Sequence, residues 1–81
     1  MKVKVYSTSS CPYCKMEKEY LQEKGVEFED ILVDRDQDAV REMLEASGQL
    51  GVPVTIITTD DGEQKVIIGF DKPAIDQALN L

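Results

Sequence analysis

The sequence predicts an α/β fold in which four strands and three helices follow one another in the order βαβαββα. Segments rich in β-branched residues alternate with segments whose apolar residues recur at helical spacing. Two of the strand segments flank Asp60-Asp61-Gly62, a hairpin-forming sequence that makes this pair antiparallel. A helix connects the first two strands, which favours a parallel pair with a right-handed crossover. We therefore expect a mixed sheet with helices on both faces.

The N-terminal unit is a short strand followed by a helix. Residues 2–6 alternate polar and apolar side chains with the period of a half-buried strand. Residues 12–24 contain neither glycine nor β-branched side chains, and Pro12 suits the first turn of a helix, where its missing N–H is not needed. Gly25 ends this helix. Its expected apolar stripe consists of Met16, Tyr20 and Leu21.

The second unit repeats this arrangement. Residues 26–33 predict a strand, because Phe28 and residues 31–33 are apolar. Asp36 is a good N-cap, since its carboxylate can accept a hydrogen bond from a free N–H of the following turn. Residues 37–47 then form an amphipathic helix that ends at Gly48. Its inward positions are Ala39, Val40, Met43, Leu44 and Ser47.

The C-terminal part supplies a hairpin and a last helix. Residues 52–59 are β-branched almost throughout, as expected for a strand that is buried on both faces. Residues 66–68 form the return strand, which ends at Gly69. Asp71 can cap a final helix that has Pro73 in its first turn. The inner face of this helix consists of Ala74, Ile75, Ala78 and Leu79.

Length and charge restrict the functional classes. The 81 residues are enough for one small domain, residues 1–81, with a modest core. The net charge of −7 argues against nucleic acid or an anionic membrane as a partner. The absence of histidine excludes a zinc hydrolase, a Cys-His nucleophile and a Ser-His-Asp triad. No apolar run could span a membrane and no signal peptide is recognisable, so we expect a cytoplasmic monomer.

The only two cysteines, Cys11 and Cys14, lie at the start of the first predicted helix. The Cys11 sulfur there meets free N–H groups and the positive end of the helix dipole, which stabilise a thiolate. Lys15 and Lys18 add positive charge on the next turns of an otherwise acidic protein. Because a thiolate attacks disulfides, Cys11 is the expected nucleophile. The more buried Cys14 is then placed to resolve the mixed disulfide.

Three other roles remain open for this pair. A structural disulfide would close a loop so short that it stabilises the fold by only about 2 kcal/mol. A zinc site needs four ligands, so a zinc or iron–sulfur carrier would have to bridge two chains through Cys11. Two inert core thiols are the third alternative. The position of the pair between a strand and a helix, in a compartment that keeps thiols reduced, favours redox catalysis over these alternatives.

Two later segments suggest a groove beside the cysteines. In Val52-Pro53, a proline enters a buried strand, and a cis bond there would leave the Val52 backbone free to pair with a peptide or with glutathione. The alternative is an ordinary trans proline that begins a strand. In Gly69-Phe70-Asp71, free N–H groups and the Asp71 carboxylate open the last helix and could hold an α-amino and an α-carboxylate group. The alternative is a plain N-cap.

The combination of these features resembles the glutaredoxin family of the thioredoxin fold over nearly the whole chain. The residues that carry the resemblance are Cys11-Pro12-Tyr13-Cys14, Gln49, Val52-Pro53 and Gly69-Phe70-Asp71. The resemblance implies a four-stranded mixed sheet of strand order 2-1-3-4, flanked by three helices, with a cis Pro53 that faces Cys11. It also implies a dithiol thiol–disulfide oxidoreductase and electron carrier that needs no bound metal or organic cofactor.

The same resemblance implies a role for each residue of the groove. Val52 would pair with the glutathione backbone. Gly69 and Asp71, on either side of Phe70, would bind the γ-glutamyl end. The groove would be lined by Tyr13 and Gln49.

Three positions depart from the usual glutaredoxin pattern. Thr8 stands where the family usually has a lysine that meets a glutathione carboxylate, Gly51 replaces a threonine, and Ile68 replaces the first of two glycines. These changes weaken the expected glutathione groove and resemble the small redoxins of the NrdH type. We therefore expect disulfide-containing proteins or glutathione as partners, and either glutathione or a thioredoxin-reductase-type flavoprotein as the electron donor.

Overall fold

The structure, a computed structural model, describes residues 1–81 and contains the seven elements in the predicted order. They are β1 (Lys2–Ser7), α1 (Pro12–Glu23), β2 (Glu29–Leu32), α2 (Gln37–Ser47), β3 (Val54–Thr58), β4 (Gln64–Ile68) and α3 (Lys72–Leu79). Strand β2 is shorter than expected, because the Val26 N–H donates to the Leu21 carbonyl at 2.9 Å and keeps the chain turned after α1. Strand β3 also begins later than expected, since Pro53 has no N–H to donate to a ladder.

The four strands form one sheet in the order β2-β1-β3-β4. Strand β1 pairs in parallel with β2 and antiparallel with β3, and β3 pairs antiparallel with β4. Val5 lies between Asp30 on one side and Thr55 on the other. Both the mixed sheet and the 2-1-3-4 order are confirmed. This register brings the end of β1, the start of β3 and the end of β4 to one end of the sheet.

Helices cover both faces of the sheet, as predicted. One face carries a core to which α1 and α3 contribute, and its fully enclosed members include Leu21, Ile57 and Ile75. The opposite face packs against α2 through Ala39 and Met43. Each completely buried Leu, Ile or Met contributes about 1.5–3 kcal/mol to folding. The two cores therefore fix the sheet between its helices from both sides.

The central strand β3 is buried on both faces, as its β-branched sequence predicts. Val54, Thr55, Ile56 and Ile57 are all buried, and successive side chains enter opposite cores. Thr55 is the one polar side chain among these four. It lies on the face that α1 covers, where its hydroxyl donates a hydrogen bond to Glu17.

Two expectations about helix faces were wrong. Met16 is 49% exposed, and Glu17 is completely buried instead. The buried positions of α1 are 14, 17, 20 and 21, so the inner stripe passes beside Met16 without including it. On α2, Leu44 is 44% exposed, because the helix turns mainly Ala39 and Met43 inward.

Side chains cap the start of all three helices. The Cys11 sulfur accepts a hydrogen bond from the first turn of α1, and Asp36 accepts two from the first turn of α2. Asp71 accepts one from the first turn of α3, so both predicted aspartate caps are present. Gly48 ends α2 with a φ of 74°, which a glycine adopts without strain. None of the three helices has the length and the apolar character that a membrane span requires.

Candidate active site

The two cysteines are free thiols with different surroundings. Cys11 is partly exposed, whereas Cys14 is completely buried. Cys11 has an extended backbone and stands as the N-cap of α1, and its Sγ accepts a hydrogen bond from the Cys14 N–H at 3.2 Å. An N–H donor and the positive end of the helix both stabilise negative charge on this sulfur. A substrate can therefore reach Cys11, and Cys14 lies one turn behind it.

Burial raises the pKa of the Cys14 thiol to about 12, and the hydrogen bond with Cys11 acts in the same direction. Desolvation disfavours the charged thiolate more than the neutral thiol. Cys14 is therefore held as a thiol at neutral pH. The two sulfurs differ in their access to solvent. Cys11 can therefore react first with a molecule from solution, whereas Cys14 can react only with a group that is already bound at Cys11.

The loop before Cys11 is fixed to the neighbouring part of the sheet. The Cys11 N–H donates to the Thr8 carbonyl at 3.5 Å. The Ser9 hydroxyl donates to the Asp34 carboxylate at 2.7 Å, and the Ser9 N–H does so at 3.2 Å. These two donors lower the pKa of Asp34, so the carboxylate that anchors the loop stays ionised. This anchor was not predicted from the sequence, because Asp34 becomes a neighbour of Ser9 only through the parallel pairing of β1 and β2.

The two lysines expected near the cysteines have different environments. Lys15 is exposed. Lys18 Nζ lies 3.1 Å from the Asp30 carboxylate and 3.4 Å from the Ser7 hydroxyl. Lys18 slightly opposes the rise in the pKa of Cys14. Lys18 forms an ion pair with Asp30, which was not predicted from the sequence. Lys18 is therefore not a free cation directed at Cys11.

The two segments predicted to form the groove meet at the same end of the sheet. The Val52–Pro53 bond is cis, as expected, and Pro53 is buried. The Gly69 N–H donates to the Pro53 carbonyl at 2.8 Å. Gly69 has a φ of 77°, a conformation that strains any residue with a Cβ. The structure therefore joins the turn before α3 to the segment before β3.

The remaining predicted groove residues differ in exposure and in their contacts. Tyr13 is 63% exposed on the first turn of α1. Gln49 is partly buried, and its side-chain amide donates to the Gly51 carbonyl at 3.4 Å. The Phe70 ring packs edge-to-face on Tyr20 with 6.1 Å between ring centres, so it contacts the core beneath the turn.

Glu17 is a feature of the site that sequence reasoning missed. Its side chain is completely buried one turn after Cys14, and the Thr55 hydroxyl donates to Oε2. The other carboxylate oxygen, Oε1, has no hydrogen-bond partner. Burial raises the pKa of this carboxyl, and the Thr55 hydrogen bond opposes the rise. The helical spacing of Cys14, Glu17 and Leu21 was the available signal, because it places all three on one face.

The acidic side chains and cysteines of this chain do not form a metal site by themselves. No group of three or more His, Cys, Asp or Glu side chains is arranged to hold a metal ion. The alternative of a zinc or iron–sulfur carrier would therefore require ligands from a second chain in addition to Cys11.

The fold and the paired cysteines define the chain as a thioredoxin-fold redox protein. A family model described as Glutaredoxin matches residues 3–61, and the chain belongs to the glutaredoxin family. A Clostridium pasteurianum protein, named as an uncharacterized glutaredoxin-like 8.6 kDa protein in the rubredoxin operon, is 44% identical over 77 residues. The match covers 95% of this chain and 96% of that protein.

Solved structures agree with this assignment. Methanosarcina acetivorans methanoredoxin superimposes with a TM-score of 0.86 at 29% identity, over 99% of this chain and 85% of that one. NrdH-redoxin from Escherichia coli, a glutaredoxin-like protein with a thioredoxin-like activity profile, superimposes with a TM-score of 0.76 at 31% identity. The latter comparison covers 95% of this chain and 93% of the redoxin.

Proposed function

We propose that this protein is a dithiol thiol–disulfide oxidoreductase that reduces protein disulfides through Cys11 and Cys14. The observation that carries the proposal is the partly exposed Cys11 Sγ, which accepts the Cys14 N–H at 3.2 Å while the second thiol is buried behind it. One sulfur is thus accessible and lies at the positive end of a helix. The other is protected from solvent and lies within the same helical turn.

The reaction proceeds in two exchange steps. The Cys11 thiolate attacks one sulfur of the substrate disulfide, forms a mixed disulfide and releases the first substrate thiolate. Cys14 then attacks Cys11 Sγ, which releases the second substrate thiolate and forms the Cys11–Cys14 disulfide. Two electrons from a reductant return the pair to thiols. No bound metal or organic cofactor takes part in these steps.

The groove supplies a backbone edge for the substrate. Val52 precedes the first residue of the β3 ladder, and its N–H and C=O make no backbone hydrogen bond. A substrate strand that carries a disulfide can pair with this free edge, as extended peptides pair with exposed strands. We assign Gly69 and Asp71 to contacts at one end of the substrate, and Tyr13 and Gln49 to the sides of the groove.

The surface around the site favours a protein as the electron donor. Tyr13 is 63% exposed on the first turn of α1, Leu50 is 61% exposed before β3, and Ile68 is 52% exposed at the end of β4. Exposed aromatic side chains such as Tyr13, two residues after Cys11, are common in protein-binding surfaces. Thr8, where glutaredoxins usually have a lysine, offers no charge to a glutathione carboxylate. We therefore propose a thioredoxin-reductase-type flavoprotein as the donor to a cytoplasmic monomer.

A side-by-side assay tests this proposal. The protein is recycled either by NADPH with thioredoxin reductase or by NADPH with glutathione and glutathione reductase, and reduction of insulin disulfides is followed. We expect faster turnover with thioredoxin reductase and none with Cys11→Ser in either system. Faster turnover with glutathione would show that glutathione, and not a thioredoxin-reductase-type flavoprotein, is the electron donor. Full activity of Cys11→Ser would refute the mechanism.

The same preparation tests the alternative of a metal carrier. Metal content and the visible absorption spectrum are measured on protein purified without oxygen. Colour and stoichiometric iron that both disappear in Cys11→Ser would support an iron–sulfur carrier, and stoichiometric zinc that disappears in this variant would support a zinc carrier. Colourless, metal-free protein with disulfide-reductase activity would support the oxidoreductase.

A further inference from the structure

The outer edge of β4 is open to pairing with another strand. Strands β2 and β4 form the two edges of the sheet. Glu29 and Asp30 are exposed on β2, and charged side chains of this kind disfavour pairing of an edge strand with another chain. Strand β4 carries no acidic residue, although its Val66 is 37% exposed and its Ile68 52%. An exposed apolar edge strand of this kind is a site to which a further strand can be added.

The hydrogen bonds between β3 and β4 determine which backbone groups point outward. The Gly69 N–H donates to the Pro53 carbonyl at 2.8 Å, so position 69 faces β3. Because hydrogen-bonded positions alternate along an antiparallel pair, the odd-numbered residues of β4 face β3 as well. The even-numbered residues Gln64, Val66 and Ile68 therefore direct their N–H and carbonyl groups away from β3, where the sheet has no further strand.

We infer that β4 pairs with β4 of a second copy of this chain, about a two-fold axis at Val66. In this antiparallel register Val66 lies opposite Val66 and Gln64 lies opposite Ile68, so every outward N–H meets a carbonyl of the other copy. Lys65 lies opposite Ile67, and no like charges face each other. A register centred on Lys65 would instead place two lysines opposite each other, which is unfavourable.

The side chains on both faces of β4 suit this partner. Val66 and Ile68 lie on the face that α2 covers, so the pairing brings exposed apolar surface of the two copies together there. On the other face, a cavity of about 280 Å³ lies between β4 and α3, and it is lined by Lys65, Ile67, Ala74, Gln77 and Ala78. Lys65 of the second copy lies opposite Ile67, at the wall of this cavity. Its aliphatic stem can cover apolar surface there while the amine stays in solvent.

The assembly closes as a weak dimer. The two-fold pairing uses both β4 edges, and the outer edges of the joined sheet are the acidic β2 strands. Five paired residues span only about 17 Å, and so short an interface makes the dimer reversible. Each copy carries a net charge of −7, so salt that screens their repulsion should strengthen the dimer. At low concentration the chain remains the monomer of the proposed function, on which this inference does not depend.

Sedimentation velocity of the reduced protein from about 10 μM to about 1 mM tests the inference. We expect a concentration-dependent dimer that tightens as salt is added. Val66→Lys places two lysines opposite each other and should raise the dissociation constant by about tenfold or more. Leu81→Lys adds the same charge in place of an apolar side chain that is 47% exposed outside β4, and it should leave the constant unchanged.

A charge-swap experiment tests the two-fold axis itself. Val66→Glu alone should associate as weakly as Val66→Lys, because two carboxylates then face each other. An equimolar mixture of the two variants should associate again, since a lysine then faces a glutamate. Native mass spectrometry should show that the restored dimer contains one copy of each variant. Wild-type circular dichroism spectra and unchanged insulin reduction would show that each variant is folded.

Four results would overturn this inference. They are a wild type that stays monomeric up to about 1 mM, a dimer that Val66→Lys weakens no more than Leu81→Lys does, a mixture that associates no better than its separate components, and growth beyond a dimer. Each of these results leaves the proposed function intact, because disulfide reduction is measured separately.

Discussion

The Gly69 N–H donates to the Pro53 carbonyl at 2.8 Å, and this bond joins two segments that the chain separates by the whole β3–β4 hairpin. Pairing of Val54 with Ile68 aligns the two segments at the end of the sheet where α1 begins. The free edge at Val52 and the turn that leads into Asp71 are therefore held in one arrangement before any substrate binds.

Substitution of Gly69 should weaken substrate binding by more than the accompanying loss of fold stability would cause. A Cβ at this position would meet no atom within 4 Å, but the φ of 77° strains a non-glycine residue by about 1–2 kcal/mol. We expect Gly69→Ala to raise the KM for protein disulfides, measured by insulin reduction. Gly62→Ala introduces the same strain at a φ of 88° in the distant hairpin, and serves as the matched control. An equal rise in KM in both variants would contradict the assignment of Gly69 to the groove.

The two cysteine variants should fail at different steps. Cys11→Ser loses the exposed nucleophile, so we expect no turnover and no mixed disulfide. Cys14→Ser keeps Cys11 with its N–H donor but cannot resolve the intermediate, so a stable mixed disulfide with the substrate should appear in the mass spectrum. Retention of protein-disulfide reduction by Cys14→Ser would show that a second thiol is not needed.

Burial of Glu17 predicts a specific dependence of stability on pH. Its folded-state pKa lies above the value of 4.5 that an exposed glutamate has, so the ionised form is favoured in the unfolded chain. The contribution of Glu17 to stability is complete below about pH 4.5 and is lost as the pH rises through the raised pKa, at about 1.4 kcal/mol per pH unit between the two values. Glu17→Gln keeps a partner for Thr55 and should lose this dependence.

Urea unfolding of the wild type and Glu17→Gln from about pH 4 to about pH 8 measures the difference. We expect the variant to gain stability relative to the wild type as the pH rises. Glu19→Gln, which changes an exposed glutamate, should follow the wild type. Parallel curves for all three proteins would show that the Glu17 carboxyl titrates normally in the folded state.

A lysine at position 8 should increase the use of glutathione. Thr8 precedes Cys11 by three residues and contacts it through its carbonyl, which a substitution of the side chain preserves. A new surface charge pair with a glutathione carboxylate contributes about 0.5–1 kcal/mol, or about a two- to fivefold lower KM for glutathione mixed disulfides. Gln22→Lys adds the same charge at the far end of α1, and it should leave the KM unchanged. An unchanged KM in Thr8→Lys would place the glutathione carboxylate elsewhere.

Features with a local cause could be predicted from the sequence. Asp36 and Asp71 cap their helices because a short side chain next to free N–H groups is sufficient. The burial of β3 follows from its β-branched residues in the same way. The position of Cys11 at the start of α1 was also predicted from local sequence, because Pro12 suits the first turn of a helix.

Features that depend on packing between distant residues could not be predicted in this way. Lys18 was expected to act on the cysteines, but Asp30 is its partner because β2 pairs with β1. Glu17 was overlooked because a charged residue is rarely buried, and its partner, the Thr55 hydroxyl of β3, is 38 residues away in the chain.

The position of both cysteines at the start of α1 has a consequence for how such a protein can change. The two sulfurs that we assign to electron transfer lie within residues 11–14, one continuous segment of four residues. Apart from Tyr13, the residues that we assign to the substrate lie in the loop before β3 and in the turn after β4. A redesign could therefore exchange these two connections to change the partner while the cysteine segment and its redox chemistry stay in place.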